Sequence, residues 1–186
     1  GKELMLAHYE RLKGLGKSLE HGIAIYNEDR EEFEHRATFK MDEKWRAPHG
    51  HPFIYKENGK TYYYFGPSYS NVRVPAELTS ILNPHEYEAW TCFAEGTKEI
   101  SKETRVEREN GGKILYRWSK TAIPMDGNRE RKLIELGLIK ADEARFSPHD
   151  METGNSIKLH NGSVFYNEYR KKWILIVDFC IKLICV

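Results

Sequence analysis

The chain has 186 residues and a mass of 21.8 kDa, enough for one sizeable core or for a few repeats of a larger architecture, and not enough to require two domains. Its 29 Lys and Arg against 28 Asp and Glu leave a formal charge of +1, which removes the global electrostatic drive toward nucleic acid or an anionic membrane. Aromatic residues reach 12%, with 11 Tyr and 4 Trp; this composition suits packed strands first and a sugar-binding surface second.

From Gly1 to Ala7 no basic region leads into an apolar run, so no signal peptide is visible, and without an initiator Met the beginning is expected to have been lost. Leu4 to Leu12, Leu19 to Tyr26 and Phe33 to Phe39 are strand-like pieces, separated by Lys13-Gly14-Leu15-Gly16 and Asn27-Glu28-Asp29-Arg30. Gly14 and Gly16 do not make a phosphate loop, since no Gly-Lys-Ser/Thr or dinucleotide fingerprint follows. Next, Pro52 to Phe65 holds two β-rich runs joined at Asn58-Gly59, the pair that supplies the positive backbone dihedrals of a tight hairpin. Within it Tyr62 and Tyr64 must face one side and Tyr63 the other.

Asn71 to Val74 and Tyr87 to Phe93 supply third and fourth strands, with a short helical turn from Pro75 through Leu78 and with Pro84 in the connection. The hairpin design recurs over Thr104 to Trp118 around Asn110-Gly111-Gly112, and over Ser163 to Ile176. Turns near residues 58, 110 and 170 lie slightly further apart than the ~40 to 50 residues of a propeller blade. Between the last two, Asn128 to Gly137 combines a polar cap, good helix formers and a terminal Gly, and predicts a short helix inserted in a blade. Asp142 to Phe146 adds a further helical turn, and Asp150 to Asn155 is a turn-rich return.

The expected fold is therefore mainly β: a partial β-propeller of four-stranded antiparallel blades with a short helical insertion. Residues 1–45 would end one blade, 46–100 form a complete blade, 101–160 carry the helical insertion, and 161–186 begin a further, truncated blade. Missing blades expose strand edges, so self-association through those edges is expected. The run from Trp173 to Val186 is apolar but short of the roughly 20 residues of a spanning helix, and Asp178 and Lys182 interrupt it, so no membrane span is expected. Cys92, Cys180 and Cys185 have no metal-ligand spacing and are odd in number. Compartment stays unassigned; the chain reads as soluble, and a secreted or periplasmic parent is compatible with it.

His49-Gly50-His51-Pro52-Phe53, the Asn58-Gly59 hairpin and Gly162 to Trp173 resemble the five-bladed β-propeller carbohydrate-active proteins of the arabinanase-like glycosidase group, and among them uncharacterised relatives above all. The resemblance spans most of residues 4–177. It implies a central funnel where inner strands present side chains to an oligosaccharide or polysaccharide, and where one carboxyl protonates the leaving oxygen while a second activates water or attacks the anomeric carbon. The pattern departs where an Asp-Pro pair is common in that group: this chain has His51-Pro52, and Gly162-Ser163 at the later hairpin.

Under this reading Glu20 or Glu143 is the acid or base, His51 orients or protonates the substrate, and His49, Arg73 and Arg145 bind it. No cofactor is implied, and an HxH step supplies only two ligands, too few for a metal site. The alternatives are a non-catalytic glycan-binding or protein-interaction propeller, and an inactive fragment. For most of these residues a plain structural role competes: Arg73 in a strand ion pair, Glu143 and Arg145 in a solvated loop, Glu20 at an exposed strand entry.

Overall fold

The computed structural model describes residues 3–179. Ten strands run in chain order: β1 (Leu6–Lys13), β2 (Lys17–Asn27), β3 (Glu32–Phe39), β4 (Phe53–Glu57), β5 (Lys60–Phe65), β6 (Val72–Pro75), β7 (Glu88–Thr91), β8 (Arg117–Ser119), β9 (Leu159–Asn167) and β10 (Lys172–Phe179). They form three antiparallel sheets in which every neighbour in space is also a neighbour in sequence: β1-β2-β3, β4-β5-β6-β7-β8 and β9-β10. Two short helices, α1 (Leu78–Ile81) and α2 (Gly127–Glu135), lie in the connections. The protein is thus mainly β and antiparallel, as its alternating, turn-punctuated sequence predicts.

Turn chemistry sets the register of each hairpin. Asn58 and Gly59 both take positive φ, 49° and 83°, and pair Glu57 with Lys60 across a two-residue turn. The β2–β3 and β9–β10 hairpins share a different, four-residue design. Each begins Tyr-Asn-Glu, at Tyr26 and at Tyr166, and each closes on a residue with positive φ, Glu31 at 53° and Lys171 at 50°. Asn27 Oδ1 accepts from the backbone N–H of Asp29 and Arg30, and Asn167 Oδ1 accepts from that of Arg170. The pairs Asn27–Glu32 and Tyr26–Phe33 recur as Asn167–Lys172 and Tyr166–Trp173. One hairpin unit is therefore used twice, a repeat that the sequence carries in Tyr26 to Arg30 and Tyr166 to Arg170.

The first two sheets meet over a core of Ile23, Phe39, Ala47, Phe65, Val72, Val74 and Tyr87. A buried arginine joins them. Arg46 ends the 3-10 turn Met41–Arg46 and donates to the Tyr87 carbonyl at 2.9 Å, to the Lys120 carbonyl and to Glu43 at 3.0 Å. His8 on β1 reaches across to the Tyr87 hydroxyl at 2.7 Å. That hydroxyl gives its own proton to the Ile81 carbonyl at 2.9 Å, so His8 Nε2 is the donor. A second core of Cys92, Phe93, Ile114, Ile123, Met125 and Leu133 binds α2 and its flanking loops to the end of β7. The third sheet docks through Gly162 N–H to the Pro67 carbonyl, through Ser68 Oγ to the His160 carbonyl, and through Trp173 packing on Phe53 and Tyr55.

Two expectations need correction. Thr104 to Trp118 does not form a regular hairpin, because its arms pair mainly with successive stretches of the 89–93 segment. Val106 bridges Phe93, Arg117 to Ser119 pair with β7, and only Arg108 and Ile114 bridge around the Gly111-Gly112 tip. As a result β8 joins the sheet of β4 to β7, which has five strands where a four-stranded unit was expected. Helix α2 starts slightly earlier than predicted, capped by the Asp126 side chain and not by Asn128, and the chain turns out of it at Gly137 with φ of 69°. Cys92 is buried. Cys180, Cys185 and the tail from Cys180 to Val186 lie outside the described residues. Among the described residues no helix is long and apolar enough to cross a membrane.

Burial lowers the His8 pKa from 6.5 to about 4. The native state thus resists a proton that the unfolded chain accepts, and the contribution of His8 to stability is complete above pH 6.5 and is lost as pH falls toward 4. The melting temperature is expected to drop more steeply between pH 6.5 and 4 than that of His8→Gln, which keeps a hydrogen-bonding side chain and removes the titration. Parallel melting curves for the two proteins would count against this account.

Candidate functional site

A cleft of about 590 Å³ opens where the leading ends of three hairpins converge. His21 enters from β2, His49 from the segment before β4, and His160 and Asn161 from the start of β9. The opposite wall is the N-terminal turn of α2, with Asp126, Asn128, Arg129 and Arg131. Trp45, Phe65, Tyr69 and Phe146 supply apolar ring surface between these polar groups.

Tight backbone packing shapes the floor. Gly50 has φ of 78°, and a Cβ there would lie 2.1 Å from the Gly66 carbonyl oxygen. A Cβ on Gly66 would in turn strike the Tyr69 carbonyl oxygen at 1.6 Å. The loops before β4 and after β5 can touch only because position 50 is glycine, and the second loop can fold back on itself only because position 66 is glycine. Asn71, buried beneath them, donates to the Met125 carbonyl at 2.8 Å and ties the sheet to the segment entering α2. Behind α2, Glu130 is fully buried and accepts the backbone N–H of Arg145 at 2.5 Å and of Phe146 at 2.8 Å. This fixes the loop that presents the Phe146 ring to the cleft.

His21 is buried, and its Nε2 hydrogen-bonds the Ser18 hydroxyl at 3.0 Å with a Glu10 carboxylate oxygen 3.5 Å from the same nitrogen. Its ring meets His49 edge to face, 5.7 Å between centroids. Partial burial, then the neighbouring His21, push the His49 pKa down; Glu10 pulls it up, and Lys44 adds a still smaller push down. At neutral pH His49 is therefore a neutral ring able to donate at one nitrogen and accept at the other. Asp126 pairs with Arg129, and its other oxygen caps the helix at 2.9 Å. A shallower depression adjoins the cleft through Pro67 and Asn161 and holds His51 and Asp178.

Of the residues singled out from the sequence, His49 lines the main cleft and His51 the adjoining depression. Glu20 lies on an exposed part of β2, where the Tyr9 hydroxyl at 2.6 Å and Arg11 at 3.1 Å hold its carboxyl below the usual range. Glu143 sits in the 3-10 turn Ala141–Glu143, where the Arg108 guanidinium and the Lys140 N–H bring it down to about 2. It belongs to a separate depression with Arg108 and Lys140. Arg73 is buried between the Tyr62 and Trp118 rings, at 4.1 and 4.3 Å, and pairs with Glu57 and Glu88. Arg145 stacks over Tyr116 at 5.1 Å. The structure does not gather Glu20, Glu143, Arg73 and Arg145 around the cleft.

Sequence reasoning missed His21, Asp126, Arg131 and Asn161. A usable signal was present: His21-Gly22, His49-Gly50 and Asn161-Gly162 each put a polar residue before a glycine at the approach to a hairpin. Among the described residues no group of three His, Cys, Asp or Glu side chains is arranged to hold a metal ion. Burial raises the Cys92 thiol to about 12, which leaves it a packing residue and not a nucleophile. No family model matches the chain, and neither a curated protein nor a solved structure matches it.

Two substitutions separate the supports of the α2 wall. Glu130→Ala removes a fully buried acceptor that serves two backbone N–H groups and is expected to cost about 3 kcal/mol in urea unfolding. Asp126→Ala removes a helix cap and is expected to cost about 1 kcal/mol. Equal costs for the two would show that Glu130 is not the anchor of the 145–146 loop.

Proposed function

We propose that this chain is part of a β-propeller whose inward cleft binds a saccharide without hydrolysing it. The observation that carries this reading is the convergence of three hairpin entries, at His21, His49 and Asn161, on one aromatic-walled cleft. Consecutive antiparallel meanders with their leading ends turned inward are the arrangement a propeller requires, and the repeated Tyr26 and Tyr166 hairpins support it. Rings from Tyr69, Phe65 and Phe146 suit the apolar face of a sugar, and neutral His49, Asn161 and Asn128 suit its hydroxyls.

Binding is favoured over hydrolysis by the carboxylates. Glycoside hydrolysis needs two carboxyl groups facing each other across the scissile bond, one of them with a raised pKa. The cleft offers Glu10 and Asp126, and Asp126 already serves as helix cap and partner of Arg129. Glu20 and Glu143 are held in the ionised form by their neighbours, the opposite of what a general acid needs.

Isothermal titration against a panel of plant and microbial oligosaccharides tests the reading. One glycan class is expected to bind, with no release of reducing ends on prolonged incubation. His49→Ala and Asn161→Ala are each expected to weaken binding about fivefold, the effect of one hydrogen bond. A chain that melts cooperatively yet binds no glycan would overturn the saccharide reading. Release of reducing ends that persists in Glu20→Gln and Glu143→Gln but is lost in Glu10→Gln would overturn the non-catalytic part.

A further inference from the structure

The cleft is more basic than the chain that forms it. Over the whole sequence cations and anions nearly balance, 29 against 28. The cleft is lined by Lys44, Arg129, Arg131 and Lys158 against Glu10 and Asp126. Asp126 is taken up by Arg129, and Glu10 faces His21. Lys44, Arg131 and Lys158 form no ion pair with a carboxylate among the described residues. Arg131 is half-buried, and its guanidinium donates to the neutral Asn128 amide.

Elsewhere this protein pairs the guanidinium groups that it draws out of water. Arg46 has Glu43, Arg73 has Glu57 and Glu88, Arg108 has Glu143, and Arg117 has Glu95 and Glu107. A cationic cleft walled by Trp45, Phe65 and Phe146 focuses its field, because apolar walls screen charge less than open water does.

We infer that the saccharide bound in this cleft is acidic, with a sugar-ring carboxylate received by Arg131 and the flanking ammonium groups of Lys44 and Lys158. This rests on the saccharide reading above and narrows it to uronic-acid-containing chains. The planar guanidinium of Arg131 matches a carboxylate through two parallel N–H donors. The two lysines come from separate segments, the 3-10 turn before β4 and the approach to β9, so they add charge on other sides of the same anion. His49, neutral beside them, is left for hydroxyl recognition.

The test is titration of the full chain with short oligogalacturonates and oligoglucuronates and with their methyl esters, which keep the sugar frame and lose the charge. At least one acid is expected to bind about tenfold more tightly than its ester, and this preference should shrink on going from low salt to well above physiological salt. Arg131→Ala and, separately, Lys158→Ala are expected to lower affinity for the acid severalfold and to leave the ester unchanged, with unaltered melting showing that both fold. Arg170→Ala, in the exposed turn of the third hairpin, should change neither. Equal affinity for acid and ester, or acid binding indifferent to both cleft substitutions, would overturn the acidic inference and leave saccharide binding standing. Stabilisation by inorganic sulfate as large as that by the acid, at equal concentration, would overturn it also, as a general anion site. Failure of every acidic, esterified and neutral glycan to bind would remove the saccharide reading itself.

Discussion

The buried guanidinium of Arg46 is the constraint on which the arrangement of the first two sheets depends. It arrives on a 3-10 turn after β3, and its donors reach carbonyls at Tyr87, just before β7, and at Lys120, just after β8. Those carbonyls stand at strand ends, where the ladder leaves them without partners. One side chain thus satisfies two edge groups of the second sheet while being covalently attached to the first. Its charge is tolerable in that position because Glu43 and the Trp45 ring flank it. Removal of Arg46 would orphan buried carbonyls and leave Glu43 without its close partner, so the junction is held by desolvation as much as by attraction.

Tyr87 shows why the junction is specific. Its carbonyl accepts from Arg46, its hydroxyl accepts from His8 and donates to Ile81, and its ring packs on Phe39 at 5.1 Å between centroids. Apolar contact alone would let the two sheets slide, because packing is weakly directional. Three hydrogen bonds in a fully buried setting do not permit this. The segment from Lys44 to Gly50, which carries Trp45 and His49 into the cleft, is held in place from the same point. The stability of the inter-sheet core and the geometry of the cleft are therefore two consequences of one joint.

Much of the fold was legible because local chemistry and tertiary context agree. Asn58-Gly59 specifies its turn wherever it occurs, and Asn71 to Val74 reads as a strand because Val72 and Val74 are needed in the core. Thr104 to Trp118 misled because its Asn-Gly-Gly tip is a genuine turn signal, while the destination of its arms is a non-local matter. The 88–93 segment takes up Arg117 to Ser119 as a strand and Val106 in a single bridge, while the arms keep one bridge to each other. The cleft was less legible for the same reason. Its residues lie in seven separate stretches, from Glu10 to Asn161, and only the fold brings Arg131 and His49 to one cleft. Conversely, the polar group from Glu143 to Asp150 is loop structure: Glu143 closes on Arg108, and Asp150 accepts from Thr153.

The division of labour among the charged residues follows from what each location asks of a charge. On the sheet faces, arginines drawn out of water need a carboxylate to offset desolvation; Arg73, between the Tyr62 and Trp118 rings, has two, and Arg117 has two. Such pairs are satisfied within the protein and have little left to offer a ligand. At the inner ends of the hairpins the strands stop, the backbone opens, and charges can remain hydrated without an internal partner. A group left unpaired there is in equilibrium with water and not with a neighbour, so an incoming anion displaces solvent and breaks no existing ion pair. On the proposed reading, binding therefore concentrates where the sheets end, and the aromatic and ionic chemistry of the sheet faces is spent mainly on holding those ends in place.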